Sequence, residues 1–198
     1  MSSRNDLTNR FYADNAETYA LHAGAPSRQR LHPFLARLLP GAEILELGCG
    51  NGRDSAEMIA RGFRVTPTDG TPEMAAEAAR RLGISVSVLR FEDIDAVSSF
   101  DGIWANACLL HVPRSELGDI LVRIHRALRP GGVLYASFKA GEAEGQDALG
   151  RYYNYPSEAW LRALCDELPW QSLAMDLSHG GAYDGLPTDW LHLSAVKA

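Results

Sequence analysis

Cysteine is scarce in this chain of 198 residues. Cys49, Cys108 and Cys165 stand far apart with no C-x-x-C pair, so neither a disulfide framework nor a zinc site is expected, and the thiols read as reduced. Long apolar runs are missing too. None approaches the roughly 18 residues needed to cross a bilayer, so no membrane is expected as a partner. No long Lys/Arg run occurs, and a formal net charge of -6 lacks the dense positive footprint that holds a phosphate backbone, which excludes nucleic acid as an expected partner. The six histidines contain no H-E-x-x-H or similar ligand spacing, so no metal is expected. The stretch MSSRNDLTNRFYADN has neither the apolar core of a secretory signal nor the acid-poor character of a transit peptide, and a cytoplasmic location is expected. These exclusions leave a small-molecule partner and say nothing of oligomeric state.

What is present is a globular composition, 46% hydrophobic and 22% charged, at a length that fills one domain, so residues 1–198 are expected to form a single unit. Apolar stretches of strand length alternate with helical periodicities, the mark of a parallel sheet covered on both faces. A helix over Leu31 to Leu38 ends at Pro40-Gly41 and precedes a strand over Glu43 to Leu47. A helix from Arg53 to Gly62 leads to a strand over Phe63 to Thr68, with Pro67 assigned to its last turn because proline cannot donate to the ladder. Thr71 reads as an N-cap, Pro72 as the first helical residue and Gly83 as the stop. Ile84 to Leu89 and Gly102 to Ala107 read as the third and fourth strands. Ser115 caps a helix carrying Leu117, Ile120, Leu121, Ile124 and Leu128 on one stripe, and Arg129-Pro130-Gly131-Gly132 breaks the chain before a strand over Val133 to Phe138. A last helix over Ser157 to Glu167 precedes two strands, Leu173 to Leu177 and Trp190 to Val196, read as an antiparallel edge hairpin. The expected fold is α/β: a doubly wound, Rossmann-like sheet, mostly parallel, with about seven strands and helices on both faces.

The first strand runs into Glu46-Leu47-Gly48-Cys49-Gly50-Asn51-Gly52, and a helix starts at once. Glycines there allow a tight turn and let a ligand lie against bare backbone beside the amides of a helix N-terminus. Three close glycines can also simply make a turn. A nicotinamide dehydrogenase places its glycine loop in the same position, but its G-x-G-x-x-G spacing would need a third glycine at 53, where this chain has Arg53.

EILELGCGNGRDS resembles the first motif of class I S-adenosylmethionine-dependent methyltransferases, and GCGNGR resembles the tellurite-resistance-type branch. Asp69 after the second strand, FDGIWANACLLHVP at the fourth and LRPGGVLYASFK at the fifth extend the resemblance over about residues 43 to 139. It implies S-adenosylmethionine as cofactor, S-adenosylhomocysteine as product, and methyl transfer to a small-molecule acceptor by in-line displacement. A non-catalytic cofactor-binding regulator on the same sheet, and less readily an NAD-dependent oxidoreductase, remain as alternatives. The resemblance implies that Asp69, with Gly70, holds the ribose hydroxyls, and that Glu46 faces the methionine ammonium beside Gly48, Cys49, Gly50 and Gly52. The segment around Arg90, Phe91 and Glu92 takes the adenine place; many members carry an aspartate where this chain has Arg90, so ring packing by Phe91 and backbone readout are expected, with Glu92 or Asp93 accepting from the amine. Asn106 and Ala107 flank the methionine portion, and His111 is the candidate base.

The acceptor is expected outside this core. Phe11, Tyr12 and Tyr19 in the segment 1–30 are read as a lid, with Tyr19 also reaching the cofactor. Lys139, Arg151, Tyr152, Tyr153 and Tyr155, in an insertion over 139–156, concentrate cations and rings suited to carboxylate or phosphate groups on an apolar wall. The same tyrosines could instead pack the last helix onto the sheet, with the cations solvated.

Overall fold

The computed structural model describes residues 3–22, 24, 26–183 and 185–198. Nine strands and seven α-helices are assigned among them. Helices α1 (Ser3–Asp14), α2 (Ala16–His22) and α3 (Arg28–Leu35) precede β1 (Glu43–Glu46), α4 (Arg53–Ala60), β2 (Arg64–Asp69), α5 (Pro72–Leu82) and β3 (Ser87–Val88). The chain continues through β4 (Phe100–Ala105), α6 (Arg114–Ala127), β5 (Leu128–Lys139), β6 (Gly145–Gln146), β7 (Tyr152–Tyr153), α7 (Glu158–Cys165), β8 (Trp170–Gly181) and β9 (Pro187–Lys197). Seven strands form one sheet in the order β3-β2-β1-β4-β5-β9-β8, parallel from β3 to β5 and antiparallel through β9 and β8, while β6 and β7 pair separately. The fold is therefore the doubly wound sheet with an edge hairpin that the alternating pattern anticipates.

Alternation along the central strands divides the core into two layers. Ile44, Trp104, Val133 and Tyr135 face α3 and pack with Leu31, Phe34, Leu35 and Met58. Leu45, Ile103, Ala105, Leu134 and Ala136 face the other way, onto Leu117, Ile120, Leu121 and Ile124 of α6. Between β1 and β4 the strand order reverses, so the loops leaving their carboxyl ends diverge and open a crevice there.

Several boundaries differ from the sequence expectation. The first core helix lies earlier, at Arg28–Leu35, with Pro33 inside it. The third strand shrinks from Ile84 to Leu89 to the exposed pair Ser87–Val88, as suits a blunted sheet edge. Pro67 sits inside β2, but its register partner on β1 is Glu46 and pairing with β3 begins only at Thr68, so the absent donor faces an edge position that asks for none. Pro113, not Ser115, precedes α6, and the glycine stretch after it is an irregularity within β5, where Gly131 takes φ 76 and the register against β4 shifts. The last helix is shorter than Ser157 to Glu167: Ser157 caps it from outside, accepting from the Trp160 amide, and it ends at Cys165. The hairpin strands run far beyond Leu173 to Leu177 and Trp190 to Val196, so its tip reaches past the carboxyl end of β5. Of the expected lid segment, residues 1, 2, 23 and 25 lie outside the described residues; the rest supplies α1 and α2, which lie against α5 and, for α1, β7, and the first residues of α3.

Candidate active site

The loop after β1 is shaped by two glycines for different reasons. Gly48 has φ 60, and a Cβ there would stand 2.5 Å from the Cys108 Cβ, so the loops leaving β1 and β4 touch backbone to side chain. Gly50 has φ 58, but its missing Cβ would meet nothing nearer than the Met74 methyl at 3.9 Å. Bare backbone there borders open space. The Cys49 amide donates to the Thr68 carbonyl at 2.8 Å, and Asn51 Nδ2 donates to the Ala20 carbonyl at 2.9 Å, tying the loop to β2 below and α2 above.

Asp69, ending β2, is clamped by three donors. Its Oδ2 accepts from the Gly50 amide at 3.0 Å, and its Oδ1 accepts from the Thr71 amide at 3.0 Å and the Thr71 hydroxyl at 2.8 Å. Thr71 stands at the N-cap position of α5, but its side chain serves Asp69 instead of the helix. Burial raises the Asp69 pKa, and these donors oppose it. Glu46, only 3% exposed, receives the Ser55 hydroxyl, and burial followed by the nearby Asp54 charge pushes its carboxyl well up. Asp54 in turn accepts from Trp104 Nε1 at 3.0 Å and Asn106 Nδ2 at 3.2 Å, while Asn106 Oδ1 accepts from the Ser137 hydroxyl at 2.8 Å. That hydroxyl accepts from the Ala107 amide at 2.8 Å, fixing a non-glycine residue at φ 55 just after β4.

These groups line a cavity of about 380 Å³, a size suited to a small organic ligand. It crosses the carboxyl ends of the strands from Asp69, Met74 and Phe91 on the β2 side to Tyr183 and Trp190 on the β9 side, with Tyr12 and Tyr19 over it. His111, closing the short turn after β4, places Nδ1 2.6 Å from the Tyr152 carbonyl and Nε2 2.9 Å from the Tyr12 hydroxyl. Nδ1 must donate to that carbonyl, so Nε2 accepts from Tyr12. Burial lowers the His111 pKa to about 4, keeping the ring neutral.

Of the residues singled out in the sequence, Glu46, Gly48, Cys49, Gly50, Asp69, Gly70, Phe91, Asn106, Ala107, His111, Tyr12 and Tyr19 all line this cavity. Gly52 does not: it packs against Leu82, where a Cβ would approach to 2.8 Å. Arg90 and Glu92 are also outside the lining, because the 3-10 turn Phe91–Asp93 sends Phe91 inward and leaves Glu92 exposed. The expected acceptor cluster is corrected most. Lys139, Arg151, Tyr152 and Tyr153 are all buried behind the lining. Arg151, 1% exposed, donates to Asp147 Oδ2 from Nε at 2.9 Å and Nη2 at 2.7 Å, with Phe11, Tyr153 and Tyr183 rings 5.0 to 5.4 Å from its guanidinium. Lys139 Nζ lies 4.3 Å over the Tyr153 ring, and the Tyr152 hydroxyl is bonded to Glu144. Sequence reasoning missed Arg53, Asp54, Tyr183 and Trp190 in the lining. Asp54, an acid in the first turn after a glycine loop, and the aromatic pair flanking Gly185 were the available signals.

Residues 44–132 match the family described as a methyltransferase domain. A ubiquinone biosynthesis O-methyltransferase from Xanthomonas oryzae pv. oryzae is 36% identical over 140 residues, 66% of this chain and 56% of that protein. A trans-aconitate 2-methyltransferase from Deinococcus radiodurans is 38% identical over 113 residues, 56% of this chain and 43% of that protein. The chain thus spans about half the length of the curated relatives it matches. Among solved structures, the Burkholderia thailandensis 1,6-didemethyltoxoflavin-N1-methyltransferase, with bound 1,6-didemethyltoxoflavin and S-adenosylhomocysteine, superposes with a TM-score of 0.74 at 26% identity, covering 98% of this chain and 87% of that one.

Proposed function

We propose that this protein, whose residues 44–132 match the methyltransferase-domain family, binds S-adenosylmethionine in the described cavity and transfers its methyl group to a small-molecule acceptor. The observation that carries this reading is Asp69. Its carboxylate is held at the cavity wall by Thr71 and the bare Gly50 backbone, and Oδ2, which takes the Gly50 amide, keeps a lone-pair site for a ribose hydroxyl. The donor set fits the rest of the cofactor. Glu46 and Asp54 offer carboxylates to an ammonium, Arg53 offers a cation to a carboxylate, and Phe91 offers a ring face to adenine.

When bound, the cofactor supplies an electrophilic methyl group on a sulfonium whose bonding pair returns to sulfur as the methyl leaves. The chain's own part is positioning, which can supply roughly 7 to 11 kcal/mol, more than a single base provides. The Ala107 backbone, pinned by Ser137, and the Asn106–Asp54 bond fix the wall after β4. Tyr12 and Tyr19 cover the cavity against water. Tyr12, whose hydroxyl donates to His111 Nε2, the ring nitrogen that the Tyr152 carbonyl leaves free to accept, is held in place to orient the acceptor.

Isothermal titration tests the reading. S-adenosylmethionine and S-adenosylhomocysteine are expected to bind and NAD not to; NAD binding with no heat from either sulfur nucleotide would overturn it.

A further inference from the structure

We infer that the acceptor is a flat, uncharged aromatic or heteroaromatic molecule carrying an O–H or N–H, and not a carboxylate or a phosphate. This rests on the methyl-transfer reading and adds the acceptor's chemistry. The cavity's far end is walled by rings: Tyr12 meets Tyr19 edge to face at 5.2 Å, and Tyr19 stacks on Tyr183 at 4.8 Å. Trp190 adds a fourth ring, its indole N–H donated to the Gly181 carbonyl at 3.2 Å. Such faces reward a planar π-system by offset or edge contact.

Charge points the same way. Among the described residues, Arg53 is the one arginine or lysine in the lining; it lies 3.7 Å from Asp54 at the head of α4, where the cofactor's own carboxylate needs it. Arg151, which could have served an anion, is bound to Asp147 and enclosed by rings behind the lining. Glu46, Asp54 and Asp69 already bring three carboxyl groups to the cavity, so a further anion would be desolvated there without a partner. Polar contacts at this end come from neutral groups, the Tyr12, Tyr19 and Tyr183 hydroxyls and the Asn9 amide, which suit an O–H or N–H on an uncharged ring.

The experiment uses three probes on one ring system, 2-naphthol, 2-naphthoate and 2-naphthyl phosphate, titrated into the protein at pH 7.5 with and without saturating S-adenosylhomocysteine. The product titration reports separately on the cofactor reading, and the probe ranking is scored in both arms. 2-Naphthol is expected to bind at least about tenfold tighter than either anion. Tyr183→Leu, checked for folding by circular dichroism, is expected to weaken 2-naphthol about fivefold and to leave S-adenosylhomocysteine affinity within about threefold. Equal or tighter binding of either anion, no binding of 2-naphthol, or undiminished 2-naphthol affinity in the folded variant would each overturn the inference.

Discussion

The floor of the cavity comes from a run of chain between Glu46 and His111 in which every lining residue ends or follows a parallel strand. The roof comes from three places far apart in the chain, α1 and α2, the β6–β7 segment and the β8–β9 hairpin tip. The floor is held by backbone geometry and short-range hydrogen bonds, as at Asp69. The roof is held by rings gathered around one cation. Damage to the floor should therefore appear as lost cofactor binding, and loss of the cation at the centre of the roof as lost stability.

The strongest test of that contrast is Arg151→Ala. It strands Asp147 and removes the cation that Phe11, Tyr153 and Tyr183 surround, so urea denaturation should report a loss of about 3 kcal/mol, the lower end for a broken buried pair. A loss below about 1 kcal/mol would mean that the roof does not hang on this residue. Asp69→Ala sharpens the other side. It should weaken S-adenosylhomocysteine by about 1.5 to 3 kcal/mol in calorimetry. The free protein's stability should change less, because burial already penalises the carboxylate.

A third test sits where floor and roof meet. His111 titrates near 4 in the fold against an ordinary value of 6.5, so between those values the unfolded chain binds a proton that the folded chain refuses. Its stabilisation is complete above pH 6.5 and drains away as pH falls to about 4, by at most about 1.4 kcal/mol per pH unit. Glu46, raised by burial, works in the opposite direction in both proteins and cancels in a difference. The melting-temperature advantage of wild type over His111→Phe should therefore shrink with acidification; a constant gap would show that His111 does not resist protonation.

The floor was legible in the sequence because its devices are local. Gly48 and Gly50 turn the chain where they stand, and Asp69 is clamped by the Thr71 that follows two residues later. Arg90 and Glu92 were misplaced because a single 3-10 turn decides which of three neighbours faces inward, and hydrophobicity marks only Phe91. The roof was not legible for a different reason. Arg151 and Lys139 looked like anion-binding cations because nothing near them in sequence reveals the rings that enclose them, apart from the tyrosines at 152, 153 and 155. The extended hairpin hid behind Gly180-Gly181, which reads as a strand end, although Trp190 packs against the space that Gly180 leaves.

The bond from the Tyr152 amide to the Thr8 hydroxyl spans 144 residues, and Tyr19 waits longer still for Tyr183. At about 5 to 20 residues per second of synthesis, Tyr19 leaves the ribosome on the order of ten to thirty seconds before its stacking partner exists. The floor, complete once Ser137 of β5 has followed His111, is thus made well before its cover. A nascent chain can expose the cavity floor while the roof is still unfinished.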